Sequence, residues 1–261
     1  PLWNRRPRHR VLTTIVSLLL IPVIVIGIRG GMDESTTTIG QVYYSQNQFL
    51  NHSAVNPVFS FFESFEKTVS EIVEYPFFSD AECQALLEGC YSTESILTDT
   101  LLNTQRPNIV VILMESASEV FAEAMPRLQQ LKQEGITFAN CYGNSYRTDR
   151  GTVCTLSGYP SFPTMSVMKM SKRAVELPSI AKSLQHEGYA TSYLYGGDIR
   201  IMGKRGYLVS AGYQDFVSDK DFPFSAVHES KWGVNDSIAA RRMYEWIASK
   251  PASERWHLVF Q

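Results

Sequence analysis

The first strong pattern in the chain is an uninterrupted apolar run. Residues 11–28 give eighteen positions without a charged side chain, rich in Val, Ile and Leu, near the shortest stretch that crosses a bilayer as a helix. Pro22 inside it is tolerated in a spanning helix. Between residues 32 and 105 the apolar positions thin out. Asn56-Pro57 opens an amphipathic stretch in which Phe59, Phe62, Phe65 and Val69 recur at three- and four-residue steps. That spacing predicts a helix whose Phe stripe packs against a neighbouring helix or the bilayer surface. A second short helix is expected over 80–89, closed by Gly89. From 106 onward extended and helical patterns alternate. The run Ile109-Val-Val-Ile-Leu-Met114 predicts a parallel strand buried on both faces. A helical pattern follows through Phe121, Met125, Leu128 and Leu131, closed by Gly135, and Ile136-Thr-Phe138 starts another extended piece. Helices over 152–157, 177–188 and 238–248 and strands over 190–195 and 256–260 complete the reading. The fold class is therefore α/β, in three parts: 1–30 a flank and transmembrane helix, 31–105 a helical connector, and 106–261 the α/β domain.

Charge changes the picture at the first of these parts. Residues 1–10 carry four Arg and no acid, residues 32–105 carry eleven acids and one Lys, and residues 106–261 carry eighteen Lys and Arg against fifteen acids. The positive-inside rule then puts residue 1 in the cytoplasm and everything after about residue 30 on the other face. A cleaved signal peptide is the alternative, but no small-residue cleavage site follows Gly30-Gly31. An acidic middle and a nearly balanced remainder argue against a nucleic-acid partner. Four cysteines are too few for a disulfide scaffold. Outside the cytoplasm a Cys83–Cys90 bond is chemically allowed, but only if the chain reverses at Gly89. Cys141 and Cys154 read as buried free thiols. The chain starts without Met and stops inside an apolar run, so it is expected to be part of a longer protein.

Candidate chemistry collects at two places. Glu115 follows the strand at 109–114, and ligand sites of open α/β sheets lie at the carboxyl ends of their strands. A metal-binding or catalytic carboxylate belongs there, as does a plain N-cap-like acid at a strand–helix turn. The segment Asn144-Ser-Tyr-Arg-Thr-Asp-Arg-Gly151 packs hydroxyls, two Arg and an Asp ahead of a helix. A hydroxyl opening a helix is close to free N–H groups and the positive dipole end, which suits a phosphorylated oxygen. Flanking Arg side chains suit anionic oxygens. Of the five histidines, His186 is expected to face solvent, His228 lies in a polar loop and His257 in a strand. None forms a readable triad with Ser and Asp.

These residues resemble a known family. Arg106-Pro-Asn-Ile-Val-Val-Ile-Leu-Met-Glu-Ser116, Tyr146-Arg-Thr-Asp-Arg-Gly151 and Leu156-Ser-Gly-Tyr-Pro160 are similar to the lipoteichoic acid synthases, within the sulfatase/alkaline phosphatase-like superfamily. The resemblance implies an alkaline phosphatase-like α/β/α sandwich, incomplete over 106–261, outside the cytoplasm of a bacterial cell. It implies that Glu115 and Thr148 bind one divalent metal, manganese before magnesium or zinc. Thr148 becomes the catalytic nucleophile, and Arg147, Arg150, Asp198 and Trp232 are implied to bind substrate. Asp198 falls in Tyr195-Gly-Gly-Asp198 and Trp232 in Trp232-Gly-Val-Asn-Asp236; position 195 is Tyr where glycerol-phosphate-polymerising members have His. The family's Asp-His pair, which completes the metal shell, falls beyond Gln261. The implied activity moves a phospholipid headgroup to an envelope glycan through a phospho-threonine. The alternatives are a sulfatase or phosphodiesterase on the same fold, or an inactive envelope scaffold. Sulfatases need Cys or Ser in a C/S-x-P-x-R setting, and Thr148-Asp-Arg-Gly lacks the Pro.

Overall fold

The computed structural model describes residues 10–32, 36–70, 77–88, 102–227, 230 and 232–261, with backbone alone over 65–70. Its elements run α1 (Arg10–Arg29), α2 (Gln48–Ala54), α3 (Pro57–Ser70), α4 (Asp80–Leu87), β1 (Ile109–Ile112), α5 (Pro126–Glu134), α6 (Thr148–Ser157), α7 (Ser171–Ala174) and α8 (Ile180–His186). They continue with β2 (Ala190–Leu194), α9 (Lys204–Ser210), β3 (Asp215–Val217), α10 (Phe224–Val227), α11 (Asp236–Ala248) and β4 (Trp256–Phe260).

The apolar run folds as α1, 20 residues with Pro22 inside and no buried side chain. Its apolar 18-residue window has a mean hydropathy of 2.8, and at 1.5 Å per residue the helix is about 30 Å long, the thickness of a bilayer's hydrocarbon core. Thr37 ties the chain to the end of this helix, because its backbone N–H and its hydroxyl both donate to the Arg29 carbonyl at 3.0 Å. Asn56 caps α3, accepting from the N–H groups of Val58 and Phe59. A Ser79–Glu82 capping box opens α4; the expected closure at Gly89 lies outside the described residues. Cys83 is an exposed free thiol, and its candidate partner Cys90 is also outside them.

The connector is fastened to the α/β body. Tyr43 is fully buried and its carbonyl accepts from Arg205 Nε at 3.2 Å. Gln46 Nε2 donates to the Tyr213 carbonyl at 3.1 Å. Gly40 lies against Gly206 so closely that a Cβ on Gly206 would stand 2.7 Å from the Gly40 Cα.

Four parallel strands form one sheet in the order β1-β4-β2-β3. Alternate residues of the central strands feed two cores: Tyr193 and Val259 join Val153, Leu156 and Leu208 on one face, while Leu194 and Leu258 join Ala226 and Ala239 on the other. This is an α/β/α sandwich, with α6, α8 and α9 on one side and α10 and α11 on the other. The expected strand at 109–114 exists, but it is not buried on both faces. As an edge strand it packs Val111 and Leu113 on the core and leaves Val110 and Ile112 exposed. The expected helix over 121–131 is broken. A 3-10 segment, Glu119–Ala124, stops before Pro126, which restarts the chain as the first residue of α5. Residues 136–138 join no strand. The strand at 215–217 and helix α9 are additions that the hydrophobic pattern did not predict.

Candidate active site

Three parallel strands deliver their carboxyl ends to one rim of the sheet. Glu115 follows β1, Tyr195 to Asp198 follow β2, and Gln261 follows β4. At the turn out of β1, Ser116 has φ +56, a conformation that a non-glycine residue adopts only at a cost of roughly 1 kcal/mol or more. That backbone reversal sits immediately beside the Glu115 carboxylate.

Helix α6 meets the same rim with its N-terminus. Asp149 in the first turn complements the helix dipole, Val153 and Leu156 anchor the helix in the core, and Gly158 ends it at φ +64. Thr148, its first residue, donates its Oγ1 hydroxyl to Glu115 Oε2 at 3.1 Å. The two flank a cavity of about 670 Å³ whose walls also include Arg147, Thr152, Cys154 and Gln261. Thr148, Gly151, Thr152 and Thr155 all line it, which is the i, i+3, i+4, i+7 face of one helix. Arg147 Nε lies 3.3 Å from Asp149 Oδ1.

Glu115, Thr148 and Arg147 are thus brought together, and the other three expected residues do not line this cavity. Arg150 is two residues on from Thr148, so the helical rotation turns it away from the cavity face. It is buried, with its guanidinium carbon 5.7 Å from the Tyr146 ring centre. Asp198 receives the Arg200 guanidinium through Nε at 2.9 Å and Nη2 at 2.9 Å. Trp232 is 77% exposed. The Asp198 and Trp232 loops nonetheless touch each other: Val234 N donates to the Gly196 carbonyl at 2.9 Å. A Cβ on Gly233, at φ +120, would stand 2.3 Å from the same oxygen. His228 lies outside the described residues, and His186 is exposed. His257 is fully buried, with Nδ1 3.3 Å from the Ile109 carbonyl and Nε2 3.4 Å from the Tyr213 hydroxyl. Burial pushes its pKa down, so it acts as a neutral core residue. Cys141 and Cys154 are both free, as expected, but Cys141 is exposed and Cys154 half-buried.

One group has no motif to mark it. Lys204, 4% exposed, reaches from the start of α9 to donate to Gln261 Oε1 at 3.0 Å. Its Nζ stands 3.3 Å from the Tyr195 ring centre, a cation–π contact. The Tyr193 hydroxyl donates to the same Gln261 oxygen, and Gln261 Nε2 donates to Thr152 Oγ1 at 3.2 Å on the cavity wall. Burial lowers the Lys204 pKa to about 7, against the opposing pull of Glu115 and Asp149. Burial, then the charges of Glu115 and Asp198, raise Tyr195 to about 12.

A divalent cation fits the donors partly. Neighbouring ligands of an octahedral ion with bonds of about 2.1 Å lie about 3 Å apart, which is the Glu115–Thr148 separation. Two hard oxygens suit manganese or magnesium. Among the described residues, no group of three or more His, Cys, Asp and Glu side chains is placed to hold an ion.

Comparison with known proteins gives the same architecture. A protein of the alkaline phosphatase superfamily from Vibrio parahaemolyticus superposes with TM-score 0.58 at 25% identity, over 70% of this chain and 49% of its own. The lipoteichoic acid synthase LtaP from Listeria monocytogenes superposes with TM-score 0.52 at 12% identity, over 59% of this chain and 40% of its own. The chain therefore spans about half the length of these structures or less. The sulfatase family model matches residues 107–261, the stretch that carries Glu115, the Thr148 helix and all four strands. The chain belongs to the sulfatase family, on an alkaline phosphatase-like fold.

Proposed function

We propose that the chain is the membrane-anchored part of a metal-dependent phosphotransferase of the lipoteichoic acid synthase type, with Thr148 as nucleophile. The observation that carries this reading is the hydrogen bond from Thr148 Oγ1 to Glu115 Oε2, at the N-terminus of a helix that opens on a cavity. A bound divalent cation would lower the hydroxyl's pKa and draw charge from the phosphoryl oxygens, with Glu115 and Thr148 among its ligands. The hydroxyl proton is aimed at the Glu115 carboxylate, which leaves the oxygen's lone pairs free for phosphorus. In the first half-reaction the Oγ1–P bond forms, the bond from phosphorus to the lipid's glycerol oxygen breaks, and that oxygen gains a proton. In the second, the oxygen of an acceptor hydroxyl bonds to phosphorus as the Oγ1–P bond breaks, and the proton that the acceptor gives up restores the Thr148 hydroxyl. Throughout, the phosphoryl oxygens sit by the positive end of α6, with Arg147 at hand to offset their charge.

The test is headgroup release from phospholipid vesicles by the whole protein. Thr148→Ala is expected to abolish turnover, since removing a covalent nucleophile costs on the order of 10⁶ in kcat. Thr152→Ala is expected to be mild, because among the described residues that hydroxyl's one partner is Gln261 Nε2. Undiminished release by Thr148→Ala would remove the mechanism.

A further inference from the structure

Helix α3 is mounted with most of its apolar side outward; of its described Phe residues, Phe59 is half-buried while Phe61 and Phe62 are exposed. Ser60 and Glu63 face the body, where Ser60 accepts a hydrogen bond from Lys172 Nζ and the Glu63 charge acts on the Tyr43 hydroxyl. Val58, Phe61 and Phe62, at i, i+3 and i+4, form the opposite face and are 64%, 58% and 67% exposed. In α2, Phe49 is 76% exposed. A soluble connector would bury such a stripe and show its serine and glutamate to water.

We infer that the Val58-Phe61-Phe62 face of α3, with Phe49, rests in the interfacial layer of the bilayer that α1 crosses. The inference rests on the anchored reading above and deepens it. Three features select lipid as the occupant. Helix α1 has 20 residues, none buried, and Thr37 bonds to its last carbonyl, so the connector starts at the level where α1 ends. From there the connector is clamped to the body through Tyr43 and Gly40, so α3 has little freedom to turn over. The outward face of α3 also carries no charge over residues 57–64, since Glu63, the only ionisable side chain there, is turned inward. Contact of this kind comes from apolar burial among headgroups and not from attraction to anionic lipid. The clamp would then set the height of the Thr148 cavity above the membrane, where a lipid headgroup is presented.

Depth measurement tests this. The whole protein, with Cys83, Cys90, Cys141 and Cys154 replaced by Ser, is labelled with an environment-sensitive fluorophore at Phe62→Cys and put into phosphatidylcholine vesicles. Leu20→Cys in α1 and Tyr244→Cys on α11 serve as controls, and Val58→Cys repeats the reading should Phe62→Cys misfold. Position 62 is expected to show blue-shifted emission and quenching by lipids with a nitroxide near the glycerol, while position 244 shows neither. The quenching should persist between about 0.1 M and about 1 M salt, where the screening length falls from about 10 Å to about 3 Å. Quenching at position 20 without quenching at 62 or 58 would overturn the inference and leave the anchor intact. No quenching at any position would overturn the anchor and the inference with it. Energy transfer between copies labelled at 62, without lipid quenching, would assign the face to self-association and overturn the lipid contact.

Discussion

Lys204 holds an ammonium group in a space that prefers it neutral, and this has a measurable consequence. Its pKa falls from 10.5 to about 7 on folding, through burial. Between those two values the unfolded chain keeps a proton that the folded chain has lost, so stability rises with pH over that window. Below about pH 7 the folded protein carries the full cost of the buried charge, of order a few kcal/mol. Lys204→Met is therefore expected to stabilise most near pH 6, with the gain shrinking towards pH 10. Urea midpoints across that range are the measurement, and a gain independent of pH would show that the charge is not what matters. The meeting of Thr148 with Glu115 was legible only through the family resemblance, because a basic, helix-opening segment by itself reads as an ordinary polar loop. Lys204 and Gln261 were not. Each is an ordinary residue whose importance comes from the fold, which brings the start of α9 and the end of β4 to the same wall. Arg150 shows the converse, where proximity in sequence suggested a shared site and the helical rotation separated it from Thr148.

At the scale of elements, α1, α11, β2 and β4 were readable within a residue or two, because each has a long or strongly apolar pattern. The misses have local causes. Pro126 divided what the periodicity joined, and β3 is three residues long, too short to show a period. The burial of β1 could not be read at all, because an edge strand and a central strand of a parallel sheet can share the same sequence. The join between connector and body was also invisible, since it depends on two glycines far apart in sequence. Gly206→Ala should expose it. Its Cβ would meet the Gly40 backbone at 2.7 Å and Ser171 Oγ at 2.4 Å, and overpacking of this sort costs roughly 1–3 kcal/mol. A lowered thermal midpoint, with faster proteolysis before residue 57, is the expected result. An unchanged midpoint would mean that the connector is not clamped there.

For the whole molecule, the sandwich, the rim of strand ends and the family follow from the chain itself, while the membrane span of α1 and its sidedness are predictions. Reporter fusions placed after residue 35 should be active only outside the cytoplasm, because four Arg precede the apolar run 11–28 and one follows it before the acidic connector. Cytoplasmic activity would reverse the topology and separate the site from an outer-leaflet lipid. The metal can be tested without turnover. Manganese binding only to the folded state should raise the thermal midpoint of the whole protein, by about 2.7 kcal/mol of stability at a hundredfold excess over Kd. Glu115→Gln should lose most of that response, and an equal response in both proteins would exclude Glu115 as a ligand. The central claim is the covalent role of Thr148, and it is most directly tested by peptide mass spectrometry of the whole protein quenched during turnover of a phospholipid donor. The account predicts a headgroup-phosphoryl adduct on Thr148, absent from Thr148→Ala. An adduct on Ser145, Thr152 or any other residue, or turnover that persists in Thr148→Ala, would contradict it.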